Sequence, residues 1–391
     1  MAFTLLINPG SSSKKYSLIQ DGRVVSNTRF ERSGDTFEIC VEQDGVQQKC
    51  EGISGDTFSM SLRQMLDRLV DTKVITNLQE ITAVGIRIVA PGSYFQKHQI
   101  VDGTFMRLLR EREPAAPLHI PHTLVELEVI QRELPFAKIV AVSDSAFHVT
   151  LPTWARDYSI EATDTTDFDI HRFGYHGISM SSVVDIVRRQ SDTFPARLVI
   201  AHVGSGVSMT ALRNGVSIDT TMGFAPDSGL IMGTRAGDSD AGMLLELMRV
   251  KNMRLFDALA YVQGRGGLKG LTGESDFRQL LEHATHEEPI ALAALQHFVY
   301  RFQKQLGAYA VALGGLDMVV LTATAAERSA LLRTHLLSGL EWFGITLDPT
   351  MNEVLLGHDG VITTPGSAVE VQVVRTQELQ EMLRVTTSFI S

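Results

Sequence analysis

The sequence predicts an α/β fold of two similar domains with a cleft between them. A strand–loop–strand pattern near the start of the 391-residue chain recurs in its second half. Segments of helical and strand periodicity alternate between and after the copies. No linker rich in Pro, Gly or Ser divides the chain, so the halves are expected to pack closely.

Residues 5–25 read LLINPGSSSKKYSLIQDGRVV and residues 198–218 read LVIAHVGSGVSMTALRNGVSI. Each is a β-rich run, a Gly/Ser loop, a second alternating run, an Asp-Gly or Asn-Gly turn and a third run. Gly10 and Gly204 take equivalent places, and Gly22 and Gly215 nearly so. One such meander is common. Two copies, each with a small-residue loop at its first turn, suggest a duplicated domain with two phosphate-facing hairpins. The pattern then predicts a helix over 60–70, a strand over 82–89 closed by Pro91-Gly92, and a helix over 121–134. A buried strand over 137–142 runs into Ser143-Asp144-Ser145. Helices follow over 240–250 and 291–313, with a buried strand over 318–322 and a closing helix over 377–385.

Composition is 44% hydrophobic and 20% charged, as in a soluble globular protein of two or more domains. The net charge of −10 disfavours a general binder of nucleic acid or anionic membrane, although a few arginines in a cleft still suit an anionic small substrate. The N-terminal apolar run is short and Lys14 and Lys15 come after it, which is not the order of a signal peptide. No stretch reaches about 18 apolar residues, so no membrane span is expected, and a cytoplasmic location is. The two cysteines, Cys40 and Cys50, flank an Asp44-Gly45 hairpin signal. A two-residue turn there sets Cys40 opposite Lys49 and aims the sulfurs at opposite faces, so a disulfide is not expected. Two cysteines also make no metal site.

By itself NPGSSSKKY, residues 8–16, is either a phosphate loop or a polar turn, because it lacks both P-loop spacing and the dinucleotide pattern. Other polar groups collect where strands end. They are Arg87, His119 in PLHIP, Asp144 in SDSAFH, His176 in RFGYHGIS, and Arg235 and Asp238 in GTRAGDSD. Singly, each reads as a surface arginine, a structural histidine or a plain loop. Together they are the groups that phosphoryl transfer to a carboxylate needs. Two guanidiniums clamp phosphoryl oxygens, an imidazole donates to developing charge, and carboxylates hold Mg²⁺ directly or through water.

The stretches LLINPGSSSKK, APLHIP, SDSAFHVTLP, RFGYHGIS, AHVGSGVS, DTTMGFAPDSGLIMGTRAGDSD and GESDFR occur in the order and spacing of acetate kinases and related short-chain acyl kinases. The chain resembles that family from residue 4 to about 379, and TMGFAPDSGLIMGTRAGD is its most specific stretch. The resemblance implies the duplicated ribonuclease-H-like fold of the actin, Hsp70 and sugar kinase superfamily. The first domain would span 1–145 plus 377–391, closed by the C-terminal helix, and the second 146–376 with nucleotide-binding loops.

It also implies roles. Asn8, Ser13 and Lys15 match the first phosphate and metal loop, and Gly204, Ser205 and Gly206 the second. Arg87 and Arg235 match the two active-site arginines, His176 the histidine that stabilises the transition state, and Asp144 an aspartate near the metal and the attacking carboxylate. His119 and His202 match further cleft histidines, and Glu378 a Mg²⁺-linked glutamate. Val89, Leu118, Tyr175 and Pro226 match the small pocket for the acyl methyl group. Asp276, Phe277 and Arg278 match residues bordering adenosine, and Ala323, Thr324, Ala325, Ala326 and Glu327 the nucleotide loop after the 318–322 strand. The implied enzyme is an Mg²⁺-dependent, homodimeric kinase of short carboxylates using ATP and ADP.

Several positions depart from the family pattern. Ala90-Pro91-Gly92 stands for His-Gly-Gly, Ile120 and Ser205 for asparagines, Met180 for a histidine, and Tyr175 for Phe. The largest change is Ala323-Thr324-Ala325-Ala326-Glu327-Arg328 in place of Gly-Gly-Ile-Gly-Glu-Asn. Three lost glycines are expected to send this loop along another path, to weaken contacts to base and ribose, and to keep pyrophosphate open as a donor. A catalytically weak binder of acyl phosphate or nucleotide is the other reading of the same loop. The added hydroxyl of Tyr175 is expected to make the acyl pocket slightly smaller or more polar.

Overall fold

The structure is a computed structural model that describes residues 2–10, 13–33, 36–43, 45–47, 50–117, 120–190 and 193–390. The chain forms two compact units, Met1–Ala146 with Glu378–Ser391, and Phe147–Gln377.

The first unit carries nine described strands: β1 (Phe3–Asn8), β2 (Ser13–Gln20), β3 (Arg23–Ser33), β4 (Thr36–Gln43), β5 (Val46–Gln47), β6 (Glu51–Ile53), β7 (Ile81–Ile88), β8 (Gln99–Ile100) and β9 (Lys138–Ser143). They form one sheet in the order β5-β4-β3-β2-β1-β7-β9-β8, with β6 paired to β4. β1, β2 and β3 form the antiparallel meander, while β7 lies parallel to β1 and β9 parallel to β7. The second unit carries β10 (Arg197–Val203), β11 (Val207–Arg213), β12 (Val216–Thr220), β13 (Met318–Thr322), β14 (Gly360–Val361) and β15 (Glu370–Val373), in the order β12-β11-β10-β13-β15-β14. Again the first three are an antiparallel meander, with β13 parallel to β10 and β15 parallel to β13. The fold is therefore α/β and duplicated, as the repeat predicts.

The copies agree in detail. Asp21-Gly22 and Asn214-Gly215 both have positive φ at both residues, 49° and 76° in one and 52° and 82° in the other. That is the hairpin turn whose twist matches its strands, and Asx-Gly supplies it at least cost. The central strand Met318–Thr322 is buried along its whole length, as expected of a parallel strand covered on both faces. The predicted helices are present as Ser61–Asp71, Ile120–Glu133, Ala241–Lys251, Pro289–Leu313 and Glu378–Ser388. The last lies on β7, where a Cβ at Gly85 would stand 2.1 Å from Thr386 Oγ1. Only glycine allows that approach.

The cysteine expectation is overturned. Cys40 and Cys50 form a disulfide, with Cα atoms 4.3 Å apart. The hairpin begins in the expected register, Gln43 opposite Val46 and Glu42 opposite Gln47. By β6 it has advanced one residue, with Ile39 opposite Glu51. A one-residue shift exchanges the faces of a strand, so Cys50 rather than Lys49 comes to Cys40. Asp44 and Lys49 themselves lie outside the described residues.

Candidate active site

In the first unit, three parallel strands end side by side and carry polar groups at their carboxyl ends, the edge where open α/β sheets bind ligands. Asn8 closes β1, Arg87 lies near the end of β7 with Val89 beyond it, and Asp144 follows β9. Arg87 pairs with Val142 in the β7–β9 register. Its Nη2 donates to Asp144 Oδ2 at 2.9 Å, and the Asp144 side chain is buried. Burial opposes the guanidinium charge, but the carboxylates of Asp144 and Glu378 outweigh it and hold Arg87 above its ordinary pKa. Among the described residues, Arg87 Nε and Ser13 Oγ are buried with no hydrogen-bond partner. Glu378 is the first residue of the C-terminal helix.

The two lysines of the first loop part ways by strand alternation. Lys15 is exposed, whereas Lys14 is buried and reaches Glu126 Oε2 at 3.1 Å. Tyr16 donates to the other Glu126 oxygen at 2.7 Å and shares a 2.8 Å hydrogen bond with Ser61. Ser11, Ser12, Leu118 and His119 lie outside the described residues.

In the second unit, the turn Gly204–Gly206 joins β10 to β11. His176 and His202 stack above it, with ring centroids 4.1 Å apart and planes at 24°. His176 Nδ1 shares a 2.9 Å hydrogen bond with Ser208 Oγ, and His202 Nδ1 one of 2.9 Å with Ser179 Oγ. Thr376 Oγ1 donates to Ser179 at 3.0 Å. A Cβ at Gly206 would lie 2.7 Å from Arg235 Nη2 and 3.1 Å from His176 Cε1 and Nε2, so Arg235 and His176 converge on this backbone. Arg235 Nη1 donates to the Pro226 carbonyl, and the Gly233 N–H to Ser205 O at 3.0 Å.

His176 sits at φ +60, two residues after Gly174 at φ +73. A non-glycine residue there is a departure that persists only where its surroundings impose it. The buried His148 does so: its Nε2 shares a 3.0 Å hydrogen bond with Tyr175 O, and its Nδ1 one with Ser217 Oγ. Tyr175 OH donates to Phe224 O at 2.6 Å. The added hydroxyl is therefore tied to the backbone at Phe224.

Asp276 caps the helix Phe277–Thr285 by accepting from Arg278 N at 2.8 Å, and the Arg278 side chain holds its carboxyl below the usual range. Phe277 is buried against Phe298. The 323–328 segment is a short helix, Thr324–Arg328, entered through Ala323 at φ +71 and ψ 165. Of the three positions that lost glycine, only Ala323 has positive φ, so strain falls on one residue rather than three. Arg328 is exposed, while Arg333 is fully buried and donates to Ala326 O, Asn352 Oδ1 and Leu355 O at 2.7, 2.7 and 3.0 Å. Burial lowers its pKa to about 10.

Sequence reasoning assigned no role to Ser179, Ser208, His148 or Arg333. The signals were faint: Ser179 lies one helical turn after His176, and Ser208 follows the second loop by two residues.

The pattern of the acetokinase family runs through residues 3–384. The chain belongs to that family. Members of it are phosphotransferases with a carboxyl acceptor, and the chain is an enzyme of that class. It is 35% identical over 382 residues to an acetate kinase of Flavobacterium johnsoniae, covering 96% of each chain. It is 33% identical to one of Corynebacterium efficiens over the whole of both. Among solved structures, acetate kinase of Porphyromonas gingivalis superposes with a TM-score of 0.87 at 30% identity and full coverage of both chains. A propionate kinase of Francisella tularensis superposes at 0.91 with 27% identity, covering 99% of this chain and 100% of that one.

Proposed function

We propose that the chain transfers the terminal phosphoryl group of ATP to acetate or propionate, reversibly and in line, giving acyl phosphate and ADP. The observation that carries this is the convergence of Arg235 and His176 on the backbone of Gly206 in a chain that matches acetokinases end to end. A carboxylate oxygen forms the new bond to phosphorus as the bridging oxygen of ADP leaves with its electron pair. The carboxylate is already ionised, so no general base is needed. Arg87 and Arg235 hold the phosphoryl and carboxylate oxygens, and His176 donates to the charge that develops. Asp144 orients Arg87 from the buried side. Lys15, Ser13, His202 and the 204–206 turn serve the phosphates, Asp276–Arg278 and 323–327 the nucleoside, and Val89, Leu118, Tyr175 and Pro226 the acyl methyl.

The first unit offers a hard-oxygen donor set and a buried Ser13 hydroxyl with no partner among the described residues, which suits Mg²⁺. Asn8 and Glu378 would hold the ion, which when bound neutralises charge on the phosphoryl oxygens. The domain division at 145/146 and 376/377, a cytoplasmic location and a homodimer belong to the same reading. Among the described residues no helix is long and apolar enough to cross a membrane. The dimer is supported by the helix Ala241–Lys251, of which no residue is buried, with Leu245 65% and nearby Leu255 68% exposed. A second copy of the chain is the occupant that hides such a face.

Hydroxamate trapping with ATP, GTP and pyrophosphate against acetate, propionate and butyrate tests the reading. ATP with the two shorter acids is expected to work. An extra methylene alters discrimination by about 1–3 kcal/mol, so butyrate is expected to be poor. Butyrate turning over faster than acetate, or pyrophosphate outperforming ATP, would refute it.

A further inference from the structure

We infer that Glu327 is a positioning residue whose carboxylate holds Ala323 in a backbone conformation that belongs to glycine, and so keeps the 323–328 turn in the shape that receives nucleotide. The inference rests on the nucleotide reading of this turn.

Ala323 combines φ +71 with ψ 165. That region is all but reserved for glycine, because a Cβ crowds the backbone there. Such a conformation survives only if the surroundings over-determine it. Here one carboxylate oxygen does so. Glu327 Oε1 accepts from Ala323 N at 2.8 Å and from Thr376 N at 3.0 Å, and Thr322 Oγ1 lies 3.4 Å away. Glu327 N in turn donates to Ala323 O at 2.8 Å. The residue therefore clasps Ala323 on both sides and ties it to the chain beyond β15.

The other end of the turn is anchored by the buried Arg333, which donates to Ala326 O at 2.7 Å and Glu327 O at 3.3 Å. An anion satisfies the orphan N–H at the start of the short helix, and a cation satisfies the orphan carbonyls at its end. The turn borders the second loop: Thr322 pairs with His202, and a Cβ at Gly204 would lie 3.6 Å from Ala323 Cβ. Release of Ala323 would move the wall beside Gly204. The clasp thus supplies by side-chain contact what glycine would supply by conformational freedom.

The test compares the full-length protein with Glu327→Ala, Glu327→Gln, Ala323→Gly and the Ala323→Gly/Glu327→Ala double variant, by steady-state kinetics and thermal unfolding. Glu327→Ala is expected to raise KM for ATP about tenfold, with kcat and KM for acetate much less affected. Glu327→Gln keeps an acceptor oxygen and is expected to fall between. Ala323→Gly alone is expected to raise Tm by about 2–4 °C, and in the Glu327→Ala background to restore most of the ATP affinity. No recovery in the double variant, or equal damage by Glu327→Ala to kcat and both KM values, would overturn the inference. If the unmodified protein makes no acyl phosphate from ATP, the nucleotide reading falls instead. The Tm cycle still decides the clasp: coupled shifts support it and strictly additive shifts overturn it.

Discussion

His176 and His202 stack with their ring centroids 4.1 Å apart, and each is pinned through Nδ1 by a different serine. A bond at Nδ1 sets the orientation of the ring and therefore the direction in which its Nε2 edge points. For His176 that edge faces the second loop: a Cβ built on Gly206 would lie 3.1 Å from both Cε1 and Nε2. Ser208→Ala is therefore expected to lower kcat about three- to tenfold, less than His176→Ala, with KM for acetate nearly unchanged. A Ser208→Ala enzyme with wild-type kcat would show that the pin does not matter.

Arg235→Ala is expected to lower turnover about a hundredfold, on the order of 3 kcal/mol of lost charge stabilisation. Arg235→Lys is expected to recover little, since a point charge does not reproduce a planar fork. Arg87→Ala should lose a similar amount and also fold less stably, because it strips the cation from the buried Asp144 carboxylate. Near-normal turnover in Arg235→Ala would remove it from the machinery.

Gly206→Ala separates function from folding. The new methyl would meet Arg235 Nη2 at 2.7 Å and the His176 ring at 3.1 Å. The arginine tip is the far end of a flexible side chain and can move aside at little cost. A Tm close to wild type with kcat reduced about tenfold or more is the expected outcome. Unchanged kcat would mean that Arg235 has no fixed position to lose.

The Lys14–Glu126 pair is a matter of stability. Both groups are buried, and Tyr16 donates to the same carboxylate. Lys14→Met leaves that carboxylate without its cation and is expected to cost about 3–5 kcal/mol in denaturant unfolding. The Lys14→Met/Glu126→Leu double variant should cost clearly less than the sum of the singles. Additive losses would contradict this.

Acid is expected to weaken nucleotide binding before it weakens the fold. The Glu327 carboxyl is pushed up by burial, opposed by the hydrogen bonds from Thr376, Ala323 and Thr322, with Asp359 adding to the rise. A raised folded value means that the neutral form is favoured in the folded chain. Its contribution to stability is present below the unfolded pKa and lost as pH rises through the folded one. Protonation therefore does not unfold the second unit, but it weakens the acceptor that holds Ala323. KM for ATP is expected to climb on the acid side at a pH above the ordinary glutamate range while Tm holds, and Glu327→Gln should flatten that limb. A KM for ATP that stays level until the pH enters the ordinary glutamate range in the wild type would count against the clasp.

The sequence by itself determined the duplicated sheet plan. Strand alternation, Asx-Gly turns and apolar runs are local signals, and they match the β1–β3 meander to the β10–β12 meander and locate the main helices before any contact is known. It also determined the family, because the order and spacing of the loop motifs are properties of the chain. Tertiary structure alone decided which side chains meet. A one-residue advance between Gln47 and Glu51 brought Cys50 to Cys40, a shift that the Asp44-Gly45 signal cannot reveal. Alternation along β2 turned Lys14 inward to a glutamate 112 residues away. Arg235 and His176 converge on Gly206 through folding of segments that carry no local mark of one another. The strain at Ala323 depends on Glu327 and on Thr376, a residue 49 positions beyond Glu327. Periodicity reports the face a residue occupies. Partners on that face are chosen by register, close approach and burial, which exist only once the chain has folded.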